Sequence, residues 1–344
     1  MKNPTASEEL SREILMKVPD SDFETALELF TGRLGFRIDM IFPADSPSVA
    51  VISGHGTSIR LEKSEPPAVA GGLTLDVGTM KADARSDDGD KQILINRLQP
   101  PATAGGSDWI TGRAGMEYRD LITGRLGGQV IASHIRIPNG GEVADYVHYH
   151  KVDFQMIYCV AGSIKVVYED QGGPFWLQPG DCVLQPSEIR HRVLEAAANS
   201  EVVEIGMPAV HETWADHEMN LPTAIVSPDR KFSGQRFVRH IAADSPPFMG
   251  VVGDFESHHT EISSATEGMA EVFELRSRQN HSIAVCESGQ RSLLFYFVRS
   301  GRLILRSELL GEYTMTAGDS IVVPAAIEYE LNSPANSEIL CVFI

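Results

Sequence analysis

The later two-thirds of the chain contains the same series of short motifs twice. Residues 116–121, 128–136, 160–165 and 178–186 correspond in order to residues 255–260, 268–276, 299–304 and 316–324. Each copy reads as short alternating strands broken by glycine turns, a pattern typical of double-sheet barrels. Because internal repetition indicates repeated structural units, we expect two barrels of the same topology in tandem.

The first copy carries a group of histidines that the second copy lacks. His148 and His150 are one residue apart, and His191 follows a turn framed by Gly180 and Pro186. Alternate side chains of a strand point to the same face, so the His-x-His pair directs both imidazoles to one side. If that side is the interior of a small barrel, the two rings can converge with His191. Three imidazoles placed in this way can bind a divalent transition metal.

The spacing of these residues resembles the two motifs of the cupin family, G-x5-H-x-H-x4-E-x6-G and G-x5-P-x-G-x2-H-x3-N. The matching residues here are His148, His150, Gln155, Gly162, Gly180, Pro186 and His191. Four positions depart from the pattern. Gln155 replaces the usual Glu, Glu188 a Gly and Glu195 an Asn, and the opening glycine falls one or two places early, at Gly140 and Gly141. The resemblance implies a bicupin whose first barrel holds one metal through His148, His150, Gln155 and His191.

The glutamine at position 155 leaves two possibilities open. As a metal ligand, its amide oxygen adds no negative charge, so the ion and its ligands stay near +2. A more positive ion binds anionic ligands better and lowers further the pKa of a bound water. Alternatively, Gln155 turns away and leaves a three-histidine site with open positions.

The second copy lacks this set of ligands. Counting back from Gly301 as from Gly162, the histidine pair becomes Glu287 and Gly289. Leu294 then takes the place of Gln155, and Tyr329 takes the place of His191. We therefore expect a structural barrel with a packed interior and no metal. The alternative is a small polar pocket lined by Tyr329 and Glu287.

Residues 1–65 have the pattern of a small α/β unit. A short strand at 14–20 precedes an amphipathic helix at 21–32, and three alternating strands follow. This β-α-β-β-β order resembles one module of the vicinal oxygen chelate family, which includes glyoxalase and bleomycin-resistance proteins. Glu62 occupies a place where that family often has a metal ligand, but no histidine partners are found. We interpret the module as a docking or dimerisation element; closure of a site across a homodimer is the alternative.

The predicted fold class is therefore mainly β, with two double-stranded β-helix barrels in tandem after a small βαβββ module. Residues 1–65 form the glyoxalase-like half-module, and residues 66–91, rich in Pro, Gly, Ala and Asp, form a linker. Residues 92–220 form the barrel with the metal site. Residues 221–344 form the degenerate barrel without one.

Composition excludes several classes of partner. A formal net charge of -18 and a pI of about 5.0 argue against binding to nucleic acid and to anionic membrane surfaces. The sequence has no apolar run that could span a bilayer, and its polar start does not resemble a signal peptide. We therefore expect a cytoplasmic protein. The four cysteines lie in apolar strand patterns without a Cys-x-x-Cys spacing, so we expect reduced, buried thiols.

Three functions fit these patterns. The first is a dioxygenase-type oxidoreductase with iron, nickel or manganese, acting on a small anionic, enolisable or aromatic substrate chelated to the metal. The second is a non-redox isomerase, lyase or hydrolase with zinc or manganese, which needs a general base. Glu188 and Glu195 are the acidic residues nearest to His191 in sequence. The third is a metal- or ligand-binding protein without turnover.

The sequence assigns no catalytic residue. Neither a GxGxxG motif nor a P-loop is present, so we expect no nucleotide cofactor. The expected cofactor is one divalent transition metal, Fe, Ni, Mn or Zn, and the expected partners are a small-molecule substrate and a second copy of the chain in a homodimer.

Overall fold

Internal contacts divide the chain into two compact units. The smaller comprises Met1–Arg85 with Glu212–Asp216, and the larger comprises Ser86–His211 with His217–Ile344. The computed structural model describes residues 13–43, 46–64, 93–98, 109–112, 115–249, 251–278 and 281–344. The predicted linker at 66–91 lies outside the described residues. Among the residues that are described, no helix is long and apolar enough to cross a membrane.

The smaller unit has the predicted order of one strand, one helix and three strands. Its elements are β1 (Glu13–Pro19), α1 (Phe23–Glu28), β2 (Arg37–Phe42), β3 (Val49–Gly54) and β4 (Thr57–Ser64). The strands are ordered β1-β4-β3-β2, with β1 parallel to β4 and the other pairs antiparallel. Thr213–Ala215 (β17) pairs with β2, although it lies in the range predicted for the first barrel. The likeness to the vicinal oxygen chelate family stays a prediction.

The helix of this unit is shorter than the predicted span of 21–32. A 3-10 turn over Asp20–Asp22 precedes α1, and a wider π turn over Leu29–Arg33 follows it. The apolar face behaves as its spacing predicts, because buried Phe23 packs against the sheet with its neighbours on the same face. Gly35 ends the segment at a φ of 72°, the left-handed conformation expected for a glycine at a helix exit.

The larger unit contains two barrels built from corresponding strands. The first barrel contains β6 (Ile110–Thr111), β7 (Glu117–Asp120), β8 (Ile131–Ile137), β9 (Gly141–Glu142), β10 (His148–His150), β11 (Phe154–Ala161), β12 (Ile164–Tyr168), β13 (Phe175–Leu177), β14 (Cys182–Leu184), β15 (His191–Ala196) and β16 (Ser200–Met207). The second contains β21 (Phe248–Met249), β22 (Glu256–His259), β23 (Glu271–Ser277), β24 (His281–Glu287), β25 (Leu294–Ser300), β26 (Arg302–Ser307), β27 (Gly311–Thr316), β28 (Ser320–Val322), β29 (Glu328–Pro334) and β30 (Ser337–Phe343).

The remaining elements of the larger unit are short. They are β5 (Leu94–Asn96), the hairpin of β18 (Lys231–Phe232) and β19 (Gln235–Arg236), β20 (Val238–His240), the helical turns α2 (Arg125–Gly128) and α3 (Ile262–Ala265), and a 3-10 turn over Ala242–Asp244.

Sheet topology reproduces the repeat. The larger sheet of the first barrel is ordered β20-β14-β11-β16-β8-β7-β6, and that of the second is β5-β28-β25-β30-β23-β22-β21. The smaller sheets are ordered β10-β15-β12-β13 and β24-β29-β26-β27. The two copies thus share one strand order, which confirms the predicted tandem of double-sheet barrels.

The two barrels exchange their outermost strands. β5, which precedes the first barrel in sequence, pairs with β28 of the second barrel. β20, which precedes the second barrel, pairs with β14 of the first. Each exchange covers an exposed sheet edge, and it links the barrels more closely than the predicted division at residue 220 implies.

A shared apolar core lies between the two larger sheets. Phe154, Met156 and Tyr158 of β11 belong to the same buried cluster as Phe295 and Phe297 of β25. Because side chains alternate along a strand, the intervening residues of β11 face the first barrel's interior. Because Phe154 and Met156 point into the shared core, Gln155 between them points into the interior of the first barrel.

The interior of the second barrel is packed, as expected. Tyr329 is buried, and its hydroxyl lies 2.6 Å from the hydroxyl of Tyr296. The alternative of a polar pocket lined by Tyr329 and Glu287 is wrong, because Glu287 is exposed. Strand pairing places Cys286 opposite Tyr329, as it places His148 opposite His191 in the first barrel. All four cysteines of the chain are free, three are buried, and Cys286 is half-buried.

The tight approach of Gly162 to Ser200 gives a test of barrel packing. Gly162 has a φ of 69°, and a Cβ there would lie 2.7 Å from the Cα of Ser200. We expect Gly162→Ala to lower the free energy of unfolding by about 2–4 kcal/mol, because backbone strain and overpacking add. Urea denaturation measures this loss.

Gly172→Ala is the matched control for this substitution. Gly172 also has a positive φ, of 85°, but its Cβ would meet nothing within 4 Å. This variant should lose only about 1–2 kcal/mol, because it carries the strain alone. If both variants lose the same free energy of unfolding, the close contact with Ser200 does not contribute to the loss.

Candidate metal centre

Two antiparallel strands bring the three predicted histidines together. β10 pairs with β15 so that His148 lies opposite His191, and His150 shares the face of His148. The ring centroids of His191 lie 4.3 Å from those of His148 and 5.3 Å from those of His150. All three side chains are buried, and one ring nitrogen of each lies within 4.8 Å of the others.

Backbone carbonyls set the tautomers of two of these rings. Nδ1 of His148 lies 2.8 Å from the carbonyl oxygen of Tyr146, and Nδ1 of His191 lies 2.9 Å from that of Ile189. A carbonyl can only accept a hydrogen bond, so each Nδ1 carries the proton and each neutral ring keeps its lone pair on Nε2. This is the arrangement in which metal-binding imidazoles are held by hydrogen bonds.

The donor set fits a divalent transition metal. Bonds from imidazole nitrogen to such an ion are about 2.0–2.1 Å long, so two ligands of one ion lie at most about 4.2 Å apart. The nitrogens of His148, His150 and His191 need only small side-chain adjustments to meet that limit. Neutral imidazoles suit iron, nickel and zinc.

Asp145 is a buried carboxylate beside the triad that the sequence analysis did not single out. It accepts hydrogen bonds of 2.9 Å from the backbone N–H groups of Tyr146 and Val193. Its Oδ1 lies 3.6 Å from Nδ1 of His148. A carboxylate at this distance makes the His148 imidazole more electron-rich. The hydrogen bond from Val193 also holds the loop before β10 against β15.

Gln155 faces the same interior, and its amide is held by two partners. Its Nε2 donates a 2.5 Å hydrogen bond to Glu204, and its Oε1 accepts a 3.3 Å hydrogen bond from Gln185. The carboxylate of Glu204 can only accept a hydrogen bond, and only the N–H end of the Gln155 amide can donate one. The amide is therefore oriented with Oε1 pointing away from Glu204. That orientation turns the oxygen of Gln155 toward Gln185, which also contacts His191.

Gln185 and Tyr168 complete this polar group. The Tyr168 hydroxyl donates a 2.8 Å hydrogen bond to Oε1 of Gln185. Nε2 of Gln185 therefore points to Nε2 of His191, 3.2 Å away. Burial, followed by the charge of Glu204, raises the pKa of the Tyr168 hydroxyl far above its ordinary value, so the hydroxyl keeps its proton. The ring of Tyr168 also stacks on His191 at 5.5 Å.

Four acidic and aromatic residues near these motifs lie away from the triad or only border it. Glu188 is exposed, and Glu195 pairs with Lys165 at 3.6 Å, so neither is the site's carboxylate. Tyr149 points outward, with the Arg190 guanidinium over its ring, as strand parity predicts. Tyr146 borders the site, its ring 5.9 Å from that of His148.

His258 of the second barrel is buried. It is only 4% exposed, because β22 lies within the sheet between β21 and β23.

His211 is a fourth histidine near the triad. Its ring lies 5.4 Å from the ring of His150, at an interplanar angle of 87°. Its Nδ1 lies 2.9 Å from the carbonyl oxygen of Pro208. No motif frames His211, so only tertiary structure reveals it. Gln185, by contrast, stands next to Pro186 in the second motif, and a comparison with Val323 in the other copy could have found it.

Comparisons with known proteins support the first barrel's resemblance. Residues 133–205 match the family described as Cupin domain, and this segment carries all three histidines, Gln155, Gln185 and Glu204. No curated protein matches the chain.

Solved structures are similar to the chain in fold at low identity. The 11S globulin from Wrightia tinctoria, whose structure is described as revealing an auxin binding site, has a TM-score of 0.51 and 12% identity over 72% of this chain and 83% of that chain. Oxalate decarboxylase from Bacillus subtilis has a TM-score of 0.46 and 13% identity over 66% and 71% of the two chains. Salicylate 1,2-dioxygenase from Pseudoaminobacter salicylatoxidans has a TM-score of 0.46 and 12% identity over 63% and 70%. The globulin supports the double-barrel fold, and at this identity it supports nothing about activity.

Removal of one triad member tests the metal centre. We expect His191→Ala to lose bound metal and to keep its far-UV circular dichroism, because the apolar barrel core does not depend on an ion. Plasma mass spectrometry gives the metal content per chain. Tyr329→Phe, at the corresponding place in the second barrel, should leave the metal content unchanged. Full occupancy in His191→Ala would show that the metal lies elsewhere.

Proposed function

We propose that the chain is a metal-dependent dioxygenase-type oxidoreductase that acts on a small anionic, enolisable or aromatic substrate. The observation that carries the proposal is the convergence of His148, His150 and His191 in the first barrel, where backbone carbonyls hold the Nδ1 protons of His148 and His191 and leave the lone pair of each of these two rings on Nε2. An ion held there supplies positive charge for chelating an enolate or carboxylate and, as iron, nickel or manganese, the redox chemistry that O2 requires.

The chain's own residues favour an anionic ligand in this site. As metal ligands the three imidazoles would be neutral, and Gln155 offers an amide in place of a carboxylate, so this ligand set would not cancel the charge of a divalent ion. Gln185 adds an N–H donor on the same side. Glu204 accepts a hydrogen bond from the amide of Gln155 and thereby orients it.

Metal identity and oxygen consumption test this proposal. We expect protein purified without chelators to contain about one iron, nickel or manganese per chain, lost in His148→Ala. With enolisable or catecholic acids, the metal-containing protein should consume O2 in proportion to substrate, measured with an oxygen electrode. Zinc at full occupancy together with turnover under anaerobic conditions would contradict an oxygenase.

The position of Glu204 favours a second candidate, a non-redox lyase or isomerase. Such an enzyme needs a general base, and Glu188 and Glu195 do not provide one. Glu204 is half-buried, and it reaches the triad's surroundings through its 2.5 Å hydrogen bond to Gln155. A carboxylate in that position can accept a proton from a substrate that displaces the amide of Gln155.

Glu204→Gln distinguishes the two candidates. If Glu204 is the base of a non-redox reaction, we expect turnover to fall by about 100-fold or more with metal content unchanged. If the reaction is oxygen-dependent and Glu204 only orients Gln155, the variant should keep turnover within about tenfold, because an amide can still hold Gln155 in place. Turnover with each candidate substrate, measured with and without O2, separates these outcomes.

A further inference from the structure

Gln185 has one N–H whose acceptor is a prospective metal ligand atom. Its Oε1 is committed to the Tyr168 hydroxyl, and one N–H can donate to Oε1 of Gln155. The other N–H lies against Nε2 of His191 at 3.2 Å. That nitrogen carries the lone pair of the neutral ring, because Nδ1 of His191 is bonded to the carbonyl oxygen of Ile189.

Metal ligation removes this acceptor. A nitrogen has a single lone pair in the plane of the imidazole ring, so Nε2 of His191 cannot bind an ion and accept a hydrogen bond together. Gln185 is 1% exposed, so water from bulk solvent does not reach the released N–H. A buried donor without an acceptor is unfavourable. An acceptor atom of a ligand on the ion would satisfy it.

The second barrel shows that this polar group accompanies the histidines. By the same motif spacing, Gln155 corresponds to Leu294, Gln185 to Val323 and Glu204 to Cys341. Those three residues belong to the packed apolar interior of the second barrel, together with Tyr329. The fold therefore does not require the amides. They occur in the barrel that has the triad, which points to a role at the metal.

We propose that Gln185 is a ligand-binding residue of the metal centre, donating its Nε2–H to an oxygen atom of a carboxylate or enolate held on the ion. This inference rests on the proposed metal site and specifies how the site selects its substrate. Gln155 and His191 position the amide, because Oε1 of Gln155 and the lone pair on Nε2 of His191 are both acceptors and therefore exclude the flipped amide. The Tyr168 hydroxyl holds Oε1 of Gln185 on the opposite side.

The test separates metal binding from anion binding. Wild type, Gln185→Leu and Tyr168→Phe are loaded with Co²⁺, and a competing chelator measures each metal Kd. Acetate is then titrated as the probe, and its Kd is followed by the visible absorption of the bound Co²⁺. Asn332→Leu, which removes a buried amide from the second barrel, is the matched control.

The proposal predicts a split between the two affinities. In Gln185→Leu, the acetate Kd should rise by about tenfold or more, while the metal Kd changes by less than about threefold. Tyr168→Phe should raise the acetate Kd by a smaller factor and keep the protein folded, and Asn332→Leu should change neither value. An acetate Kd that stays at the wild-type value in Gln185→Leu would overturn the proposal and leave the metal site standing. A parallel loss of metal would also overturn it, since Gln185 would then only support His191. If wild type binds no Co²⁺, both proposals fail.

Discussion

Apolar packing between the two larger sheets decides which side chains can face the interior of the first barrel. Phe154, Met156 and Tyr158 lie in the shared core with residues of the second barrel. A shift of β11 by one residue would move all of them into the barrel and carry Gln155 out of it. The same alternation in β16 buries Val203 and Ile205 and turns Glu204 inward. The barrel without the histidine triad therefore supports the site by fixing the register of the strands that hold it.

Hydrogen bonds then determine how the inward side chains are oriented. Carbonyl groups within the turns that lead to β10 and β15 set the tautomers of His148 and His191. A carboxylate at Glu204 orients Gln155, and a phenol at Tyr168 orients Gln185. The carbonyls and the carboxylate can only accept, so they fix Nε2 of His191 and Oε1 of Gln155 as acceptors. Both of these atoms meet the amino group of Gln185, which leaves a single arrangement of the two amides. Such preorganisation presents lone pairs and N–H groups to a ligand without rearrangement.

Local patterns predicted much of the fold and part of the site. Repeated glycine turns and alternating strands indicated two barrels, and the shared strand order of the two halves agrees with that expectation. The parity of His148 and His150 placed both rings on one face, where the structure has them. The exchange of β5 and β20 between barrels could not be predicted, because short edge strands carry no signal of the sheet that they join.

The sequence by itself determined the periodicity of the strands, the positions of the turns and the identity of three convergent imidazoles, because these depend on spacing along one chain. Tertiary structure decided which carboxylates approach the site. Glu188 and Glu195 are close to His191 in sequence but lie on the outside. Glu204 lies on β16, which pairs with β11, and its side chain faces the interior beside Gln155. Only folding brings Gln155, Gln185 and Glu204 within hydrogen-bond distance, since the register between strands is fixed by the core packed on their other faces.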